Sequence, residues 1–179
     1  AIDWLRLDRV GGASTPTPTP PNDPSGDLLV LHFDSSYDPD DMQAMVASRV
    51  ILDRYPDREV MVVNGTRSYR HDGVVPGSLE LARELFPDTI DALGDRQAEN
   101  RVAAAWQLTL EAGHRVLVAE GGPSDFTARV LKILRSRDVK NLRDIVVVQH
   151  SHGWNEDNTH PDNVRLVQSL TTYVRIDDG

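Results

Sequence analysis

The chain has 179 residues, of which 39 % are hydrophobic and 26 % are charged, a composition typical of one globular domain. Its 19 Lys and Arg residues against 28 Asp and Glu residues give a net charge of −9, which argues against a nucleic-acid polymer as partner. The absence of cysteine excludes disulfides, zinc–thiolate sites and cysteine nucleophiles. No apolar run approaches the roughly 18 residues of a membrane helix, so no membrane partner is expected.

Three segments of different composition follow one another. Residues 1–12 alternate partly between apolar and polar side chains and resemble the last strand of a secreted β-sandwich carbohydrate-binding module, although a terminal tail fits equally well. Residues 13–26 are rich in Thr and Pro, which favours an extended spacer. Residues 27–179 are expected to form an α/β domain, C-terminally incomplete. The spacer favours a multidomain protein in an extracellular or periplasmic location.

Apolar runs and helical patterns alternate along residues 27–179. Strands are predicted at 28–33, 59–64, 114–119, 144–149 and 172–176, and helices at 39–55, 78–86, 97–112, 123–137 and 162–170. This alternation predicts a Rossmann-like, mostly parallel sheet with helices on both faces, because crossovers between parallel strands are right-handed. The inner side of the first helix is predicted to consist of Met42, Met45, Val46, Val50 and Leu52.

Polar residues gather where the predicted strands end. The segments concerned are 34–41, 64–66, 120–123 and 149–155, which are acidic, glycine-rich or rich in His and Asn. Because ligands of parallel sheets bind outside the carboxyl ends of the strands, these segments predict a functional site at one edge.

The loop after the first strand carries four aspartates within eight residues, Asp34, Asp38, Asp40 and Asp41. Such carboxylates repel one another, and a hard cation such as Ca²⁺ or a helix N-terminus would neutralise them. Asp34 and Asp41 could reach one ion from two sides, and without the ion at least one pKa should rise. The spacing does not match an EF-hand. A helix start with solvated acids explains the same pattern.

A family resemblance rests on this loop and three further segments. Asp34-x-x-x-Asp38-Pro39-Asp40-Asp41 is similar to the aspartate motif of the nucleoside hydrolase superfamily, in the branch whose loop reads Asp-x-x-x-Asn/Glu-Pro-Asp-Asp. Asn64, the segment 116–125 and the segment 145–149 follow in the family's order. The resemblance extends over residues 27 to about 176 and implies the Rossmann-like fold of these enzymes.

The resemblance also implies a function, the Ca²⁺-dependent hydrolysis of an N-glycosidic bond in a small glycoside or nucleoside. Asp34 would bind Ca²⁺ and act as the catalytic base on a water, Asp41 would be a second Ca²⁺ ligand, and Glu120 falls where a backbone carbonyl contacts the ion. Asp40 and Asn64 would face the sugar. The ion would lower the pKa of the water, which Asp34 would deprotonate.

Several positions depart from the family's pattern. Ser124-Asp125 stands where the family has Thr-Asn, and Asn163 is the nearest match to a ribose contact. The family's C-terminal His-Asp pair has no counterpart before Gly179. The 179-residue chain is therefore expected to be nearly inactive, and a longer one to recover activity.

The last polar segment allows several readings. His150 and His152 could bind a metal, donate a proton to the leaving group or simply line the sheet end. Trp154, beside Asn155, could stack on a base or sugar or cover the sheet edge.

Two alternatives to the hydrolase remain open. One is a non-catalytic sugar-binding or interaction domain of an extracellular multidomain protein. The other is a flavodoxin-like regulatory domain with an acidic Mg²⁺ pocket. A homo-oligomer is compatible with each.

Overall fold

The computed structural model describes residues 26–36, 39–70, 73–150 and 152–177. The leader and almost all of the spacer, and Asp38 of the acidic loop, lie outside the described residues. The strands are β1 (Leu28–Phe33), β2 (Val60–Asn64), β3 (Ile90–Asp91), β4 (Val116–Glu120), β5 (Ile145–Gln149) and β6 (Thr172–Arg175). The helices are α1 (Asp40–Leu52), α2 (Ser78–Leu85), α3 (Ala98–Glu111), α4 (Asp125–Ser136), α5 (His152–Asp157) and α6 (Pro161–Leu170).

Within the described part of the chain, the six strands form one sheet in the order β3-β2-β1-β4-β5-β6, and every neighbouring pair is parallel. The chain winds outward from β1 to β3 and then returns to the other side of β1 to build β4 to β6. The strand order reverses between β1 and β4, so the carboxyl ends of these two strands flank a topological switch point. The predicted Rossmann-like α/β fold is confirmed.

Two apolar clusters cover opposite faces of the sheet. The larger contains the apolar faces of α3, α4 and α6 packed on β1, β4 and β5, with Trp106 and Phe126 fully buried. The smaller joins Leu31 and Phe33 of β1 to Met45 of α1 and to α2. Since α1 and α2 reach only β1 and β2, the second face of β4, β5 and β6 is left open by the described residues, and Ala119 in the central strand β4 is exposed.

The open face of the sheet explains why the predicted inner side of α1 is partly wrong. Met45 is buried as predicted, but Val46 and Val50 are 45 % and 57 % exposed. The helix packs on the sheet through a narrow stripe, because no described element lies against its other side.

Within the described ranges, no helix combines the length and the apolar character that a membrane crossing requires.

Candidate functional site

The end of β1 and the start of α1 bring two aspartates together. Asp34 directly follows β1, Asp41 lies in the first turn of α1, and each is only 6 % exposed. The Asp34 side chain is close enough to Asp41 to raise the pKa of that carboxyl by its charge and by hydrogen bonding. The Ser35 N–H donates to Asp41 Oδ2 at 2.5 Å, and the Ser36 N–H donates to Asp34 Oδ1 at 2.9 Å. Asp34 and Asp41, hereafter the aspartate pair, are thus the two predicted carboxylate ligands that the structure places in contact.

The aspartate pair retains a proton near neutral pH when no cation is bound. Burial is the largest cause, and together with the charges of Asp34 and Asp40 it raises the pKa of Asp41 to about 8, against the lowering effect of the Ser35 N–H. The expected rise is confirmed, although burial contributes more to it than repulsion does. A buried site of this kind requires either a proton or a metal ion.

Ser35 fixes the turn that positions the aspartate pair. Its φ of 55° lies in the left-handed region, which residues other than glycine rarely adopt. Its carbonyl accepts a hydrogen bond from the Val75 N–H at 2.7 Å, and its hydroxyl donates to Asn64 Oδ1 at 2.6 Å. Asn64 is buried and its amide nitrogen donates to Ser78 Oγ at 3.5 Å. In this structure Asn64 holds the turn, and a contact with sugar stays a prediction.

Two glycines after β4 pack directly against the aspartate pair. A Cβ at Gly122 would lie 2.4 Å from the Cβ of Asp34 and 2.7 Å from its Cγ and Oδ2. A Cβ at Gly121 would lie 2.7 Å from the His32 carbonyl oxygen and 3.3 Å from Asp41 Oδ1. Any side chain at position 122 would therefore displace the Asp34 carboxylate.

Gly122→Ala is expected to lower the free energy of unfolding by about 1–3 kcal/mol, because inserting a methyl group into a packed site forces its neighbours to move. Urea denaturation measures this change. Gly153→Ala is the matched control, since a Cβ there meets no atom within 4 Å. Equal stabilities of the two variants would contradict the close packing of Gly122 on Asp34.

The donor atoms of the aspartate pair are of the type that a hard cation prefers. Its donors are oxygens, which suit Ca²⁺ or Mg²⁺ rather than zinc or copper. Two buried hydroxyls adjoin the turn, Ser36 Oγ and Thr66 Oγ1, and neither has a hydrogen-bond partner among the described residues. No group of three or more His, Asp or Glu residues that could hold a metal occurs within the described ranges. An ion here would therefore complete its shell with hydroxyls, carbonyls or water.

Glu120 lies at the end of β4 but its carboxylate is not part of the aspartate pair. It contacts His32 Nδ1 at 3.0 Å and accepts a hydrogen bond from Thr127 Oγ1, in the core beneath α3 and α4. The Glu120 carbonyl accepts from the His150 N–H at 3.2 Å and from Gln149 Nε2 at 3.4 Å. The carbonyl that was expected to face calcium thus holds the turn after β5, and its role as a ligand stays a prediction.

A cavity of about 360 Å³ opens beside Asp41 on the uncovered face of the sheet, and Asp34 is not among its described lining residues. Asp40, Asp41 and His150 contribute polar groups, and Ala119, Val148 and Ile176 are among its apolar lining. The exposed Asp40 carboxylate accepts a hydrogen bond from the Asp41 N–H at 2.7 Å and can still face a ligand. A volume of this size admits a small molecule.

The predicted binding residues after β5 separate into different roles. His150 is exposed at the cavity, and Trp154 is 48 % exposed on α5. Asn155 is buried, and its Nδ2 donates to the His150 carbonyl at 2.6 Å. His152 is the first residue of α5, a helix that is absent from the predicted elements.

Asp125 is the structural residue that sequence reasoning missed. Its Oδ1 accepts from the His160 N–H at 3.1 Å and from Asn163 Nδ2 at 2.6 Å, and its Oδ2 accepts from the Tyr69 N–H at 3.1 Å. It is 1 % exposed and ties α4 to α6 and to the loop after β2. Asn163, predicted to contact ribose, also accepts from Lys132 Nζ at 2.8 Å on the outer surface. The signal in the sequence was Asp in the first turn of a helix, which many solvated caps share.

Asp125→Ala is expected to lower the free energy of unfolding by at least about 2 kcal/mol, because three hydrogen bonds to a buried carboxylate are lost together. Thermal and urea denaturation measure the effect. Asp162→Ala, which removes an exposed carboxylate from α6, should change the stability little. A loss at Asp125 no larger than that at Asp162 would contradict the role of Asp125 as a structural hub.

Comparison with known proteins places the chain in no established family. No protein-family model and no curated protein matches it. Among solved structures, the glucose-6-phosphate 1-dehydrogenase of Mycobacterium avium matches 85 % of this chain at 17 % identity, with a TM-score of 0.44. A glucose-6-phosphate dehydrogenase in complex with glucose-6-phosphate matches 86 % at 12 % identity, with a TM-score of 0.43. The matched part spans 36 % and 37 % of those two chains.

These findings correct the family assignment made from the aspartate motif. No family model and no curated protein supports the nucleoside hydrolase resemblance, and the two solved structures named above are dehydrogenases, so the resemblance is wrong. The physical reason is that the motif is short. Acidic and glycine-rich turns at the carboxyl ends of parallel strands occur in many Rossmann-like sheets, so their order along the chain does not identify a family.

Proposed function

We propose that the chain binds Ca²⁺ at the aspartate pair and hydrolyses an N-glycosidic bond of a small glycoside in the adjoining cavity. One observation carries the proposal: two neighbouring buried carboxylates lie at the switch point of the sheet, and one of them, Asp41, lines an opening of about 360 Å³.

The burial of the aspartate pair supports the choice of a cation. Buried carboxylates that repel each other bind either a proton or a metal, and a protonated pair cannot act as a base. Ca²⁺ bound there would lower the pKa of a water molecule. Asp34 would receive the proton of that water, while the Ser36 N–H keeps the Asp34 carboxylate oriented at 2.9 Å.

The lining of the cavity supports a sugar as substrate. Asp40 offers an exposed carboxylate that can accept hydrogen bonds from vicinal hydroxyls, and His150, also exposed in the lining, can donate a proton to a leaving group. The apolar residues Ala119, Val148 and Ile176 would contact the less polar part of the ligand.

The expectation that the 179-residue chain is nearly inactive rested on the C-terminal His-Asp pair of the nucleoside hydrolases, and it falls with that resemblance. The test is therefore an assay of the chain itself on a panel of nucleosides and other small N-glycosides, with Ca²⁺ or with a chelator. Release of reducing sugar that requires Ca²⁺ and is lost on chelation is the expected result. Asp40→Ala should raise KM if Asp40 binds the ground state, and lower kcat if its contact strengthens in the transition state. If the chain binds Ca²⁺ but releases sugar from no member of the panel, the hydrolase proposal is wrong and the non-catalytic sugar-binding domain takes its place.

A further inference from the structure

A second cavity, of about 400 Å³, lies at the opposite end of β2 from the aspartate pair. It is lined by residues from the end of α1, the loop before β2, the segment from the end of α2 to β3, and α3. Among the described residues, its lining contains three arginines, Arg49, Arg58 and Arg101, and one aspartate, Asp88. This is a locally basic opening in a chain whose net charge is −9.

The cavity exists because β3 is too short to cover the edge of β2. The two residues of β3 pair only with Val63 and Asn64, so among the described residues no strand lies beside the segment 60–62 on its outer side. The Glu59 carbonyl accepts from the Leu29 N–H of β1 at 3.0 Å, and the Asn64 carbonyl accepts from the Ala92 N–H on the outer side at 2.9 Å. Backbone groups of alternate residues in a strand point to opposite neighbours, so those of Val60 and Val62 point outward along this edge.

The arginines flank this open edge from both faces of the sheet. Arg49 lies in the last turn of α1, which packs on one face, and its Cζ is 5.9 Å from the centroid of the Phe86 ring. Arg101 lies on α3, which packs on the other face. Their present ion pairs, Arg49 with Asp53 and Arg101 with Asp95, are at the surface. Pairs between exposed ions are weak and can be exchanged for a ligand carboxylate.

We propose that this second cavity, hereafter the arginine notch, binds an acidic peptide in extended conformation. The peptide adds as a short parallel or antiparallel strand beside residues 60–62. An unpaired strand edge supplies main-chain hydrogen bonds to a peptide, and pockets at alternate positions select its side chains. Because successive side chains of a strand point to opposite faces, two adjacent acidic residues would meet Arg49 on one face and Arg101 on the other. The apolar residues Leu52, Phe86 and Ile90 provide contacts for the flanking side chains.

Fluorescence anisotropy of the full chain with a labelled Val-Glu-Glu-Glu-Val peptide tests the proposal. Saturable binding is expected, and Arg49→Glu or Arg101→Glu should weaken it by about tenfold or more. Arg83→Glu, an exposed residue of α2 away from the cavity lining, changes the net charge equally and should leave the affinity nearly unchanged. Equal losses in all three variants, or no binding by the unaltered chain, would overturn the proposal.

Methylation of single backbone nitrogens of the peptide distinguishes a strand from a simple anion without altering the protein. Methylation should abolish binding at alternate positions and be tolerated between them, because only every second N–H of an added strand faces β2. If all methylated peptides bind equally and inorganic phosphate displaces them, the arginine notch is an anion pocket and the peptide proposal is wrong.

Discussion

Asp34→Asn is expected to lower kcat on the glycoside identified by the panel by about 10²–10⁴-fold, the range that general-base catalysis supplies. The substitution preserves the shape of the side chain and an oxygen that can accept from the Ser36 N–H, which donates at 2.9 Å in the native chain. It removes the basic site and one negative charge from the aspartate pair. Steady-state kinetics with saturating Ca²⁺ measure the change.

Asp162→Asn is the control for this experiment, because the Asp162 side chain is exposed on α6. Circular dichroism and thermal denaturation check that both variants fold. A kcat of Asp34→Asn within about threefold of the native value would exclude Asp34 as the base, since the loss would fall far below that range.

Asp41→Asn is expected to stabilise the calcium-free chain at high pH while abolishing Ca²⁺ binding. In the unfolded chain Asp41 ionises near its ordinary pKa of 3.8, whereas in the folded chain its pKa is raised to about 8, chiefly by burial. Between these two pH values the folded state binds more protons than the unfolded state. The stability contributed by Asp41 therefore falls as pH rises from about 4 to about 8 and remains low above that.

The Asp41→Asn variant does not lose stability in this way, because the asparagine side chain does not titrate. Its free energy of unfolding should match that of the native chain near pH 4 and exceed it by roughly 2–5 kcal/mol at pH 8 to 9. Urea denaturation across this pH range, in the presence of a chelator, measures the difference. The surface variant Asp162→Asn should show no such trend. A difference that does not grow with pH would mean that the Asp41 carboxylate is not held protonated by burial.

The pattern of hydrophobic residues was enough to predict most of the strands, the helices and the parallel pairing. The run Leu28–Phe33 is apolar except for His32, which indicates a strand buried on both faces, and the alternation of such runs with helices predicts parallel pairing. The two residues of β3, Ile90 and Asp91, were missed because they are too short to carry a period. The helix α5 was missed because Asn and Gly in His152–Asp157 favour loops by propensity.

The burial of α1 could be predicted only in part. Val46 and Val50 fall at a helical spacing that predicts an inner position, but both are exposed. Periodicity shows that a helix has an apolar side, but it does not show how much of that side is covered by neighbouring elements. The proximity of Asp34 and Asp41 could be predicted from the sequence, since the end of β1 and the start of α1 are close along the chain. The hydrogen bonds of Asp125 to Tyr69 and Asn163 join residues 56 and 38 positions apart, and no local pattern encodes them.

Titration calorimetry with Ca²⁺ on the 179-residue chain tests the central claim, that the aspartate pair is a cation site. One site is expected in the native chain, and none in Asp41→Asn. The affinity should rise with pH up to about pH 8, since the ion must replace the proton held by the pair. Asp162→Asn should bind as the native chain does. A native chain that binds no Ca²⁺, or an Asp41→Asn variant that binds it with unchanged affinity, would contradict the account.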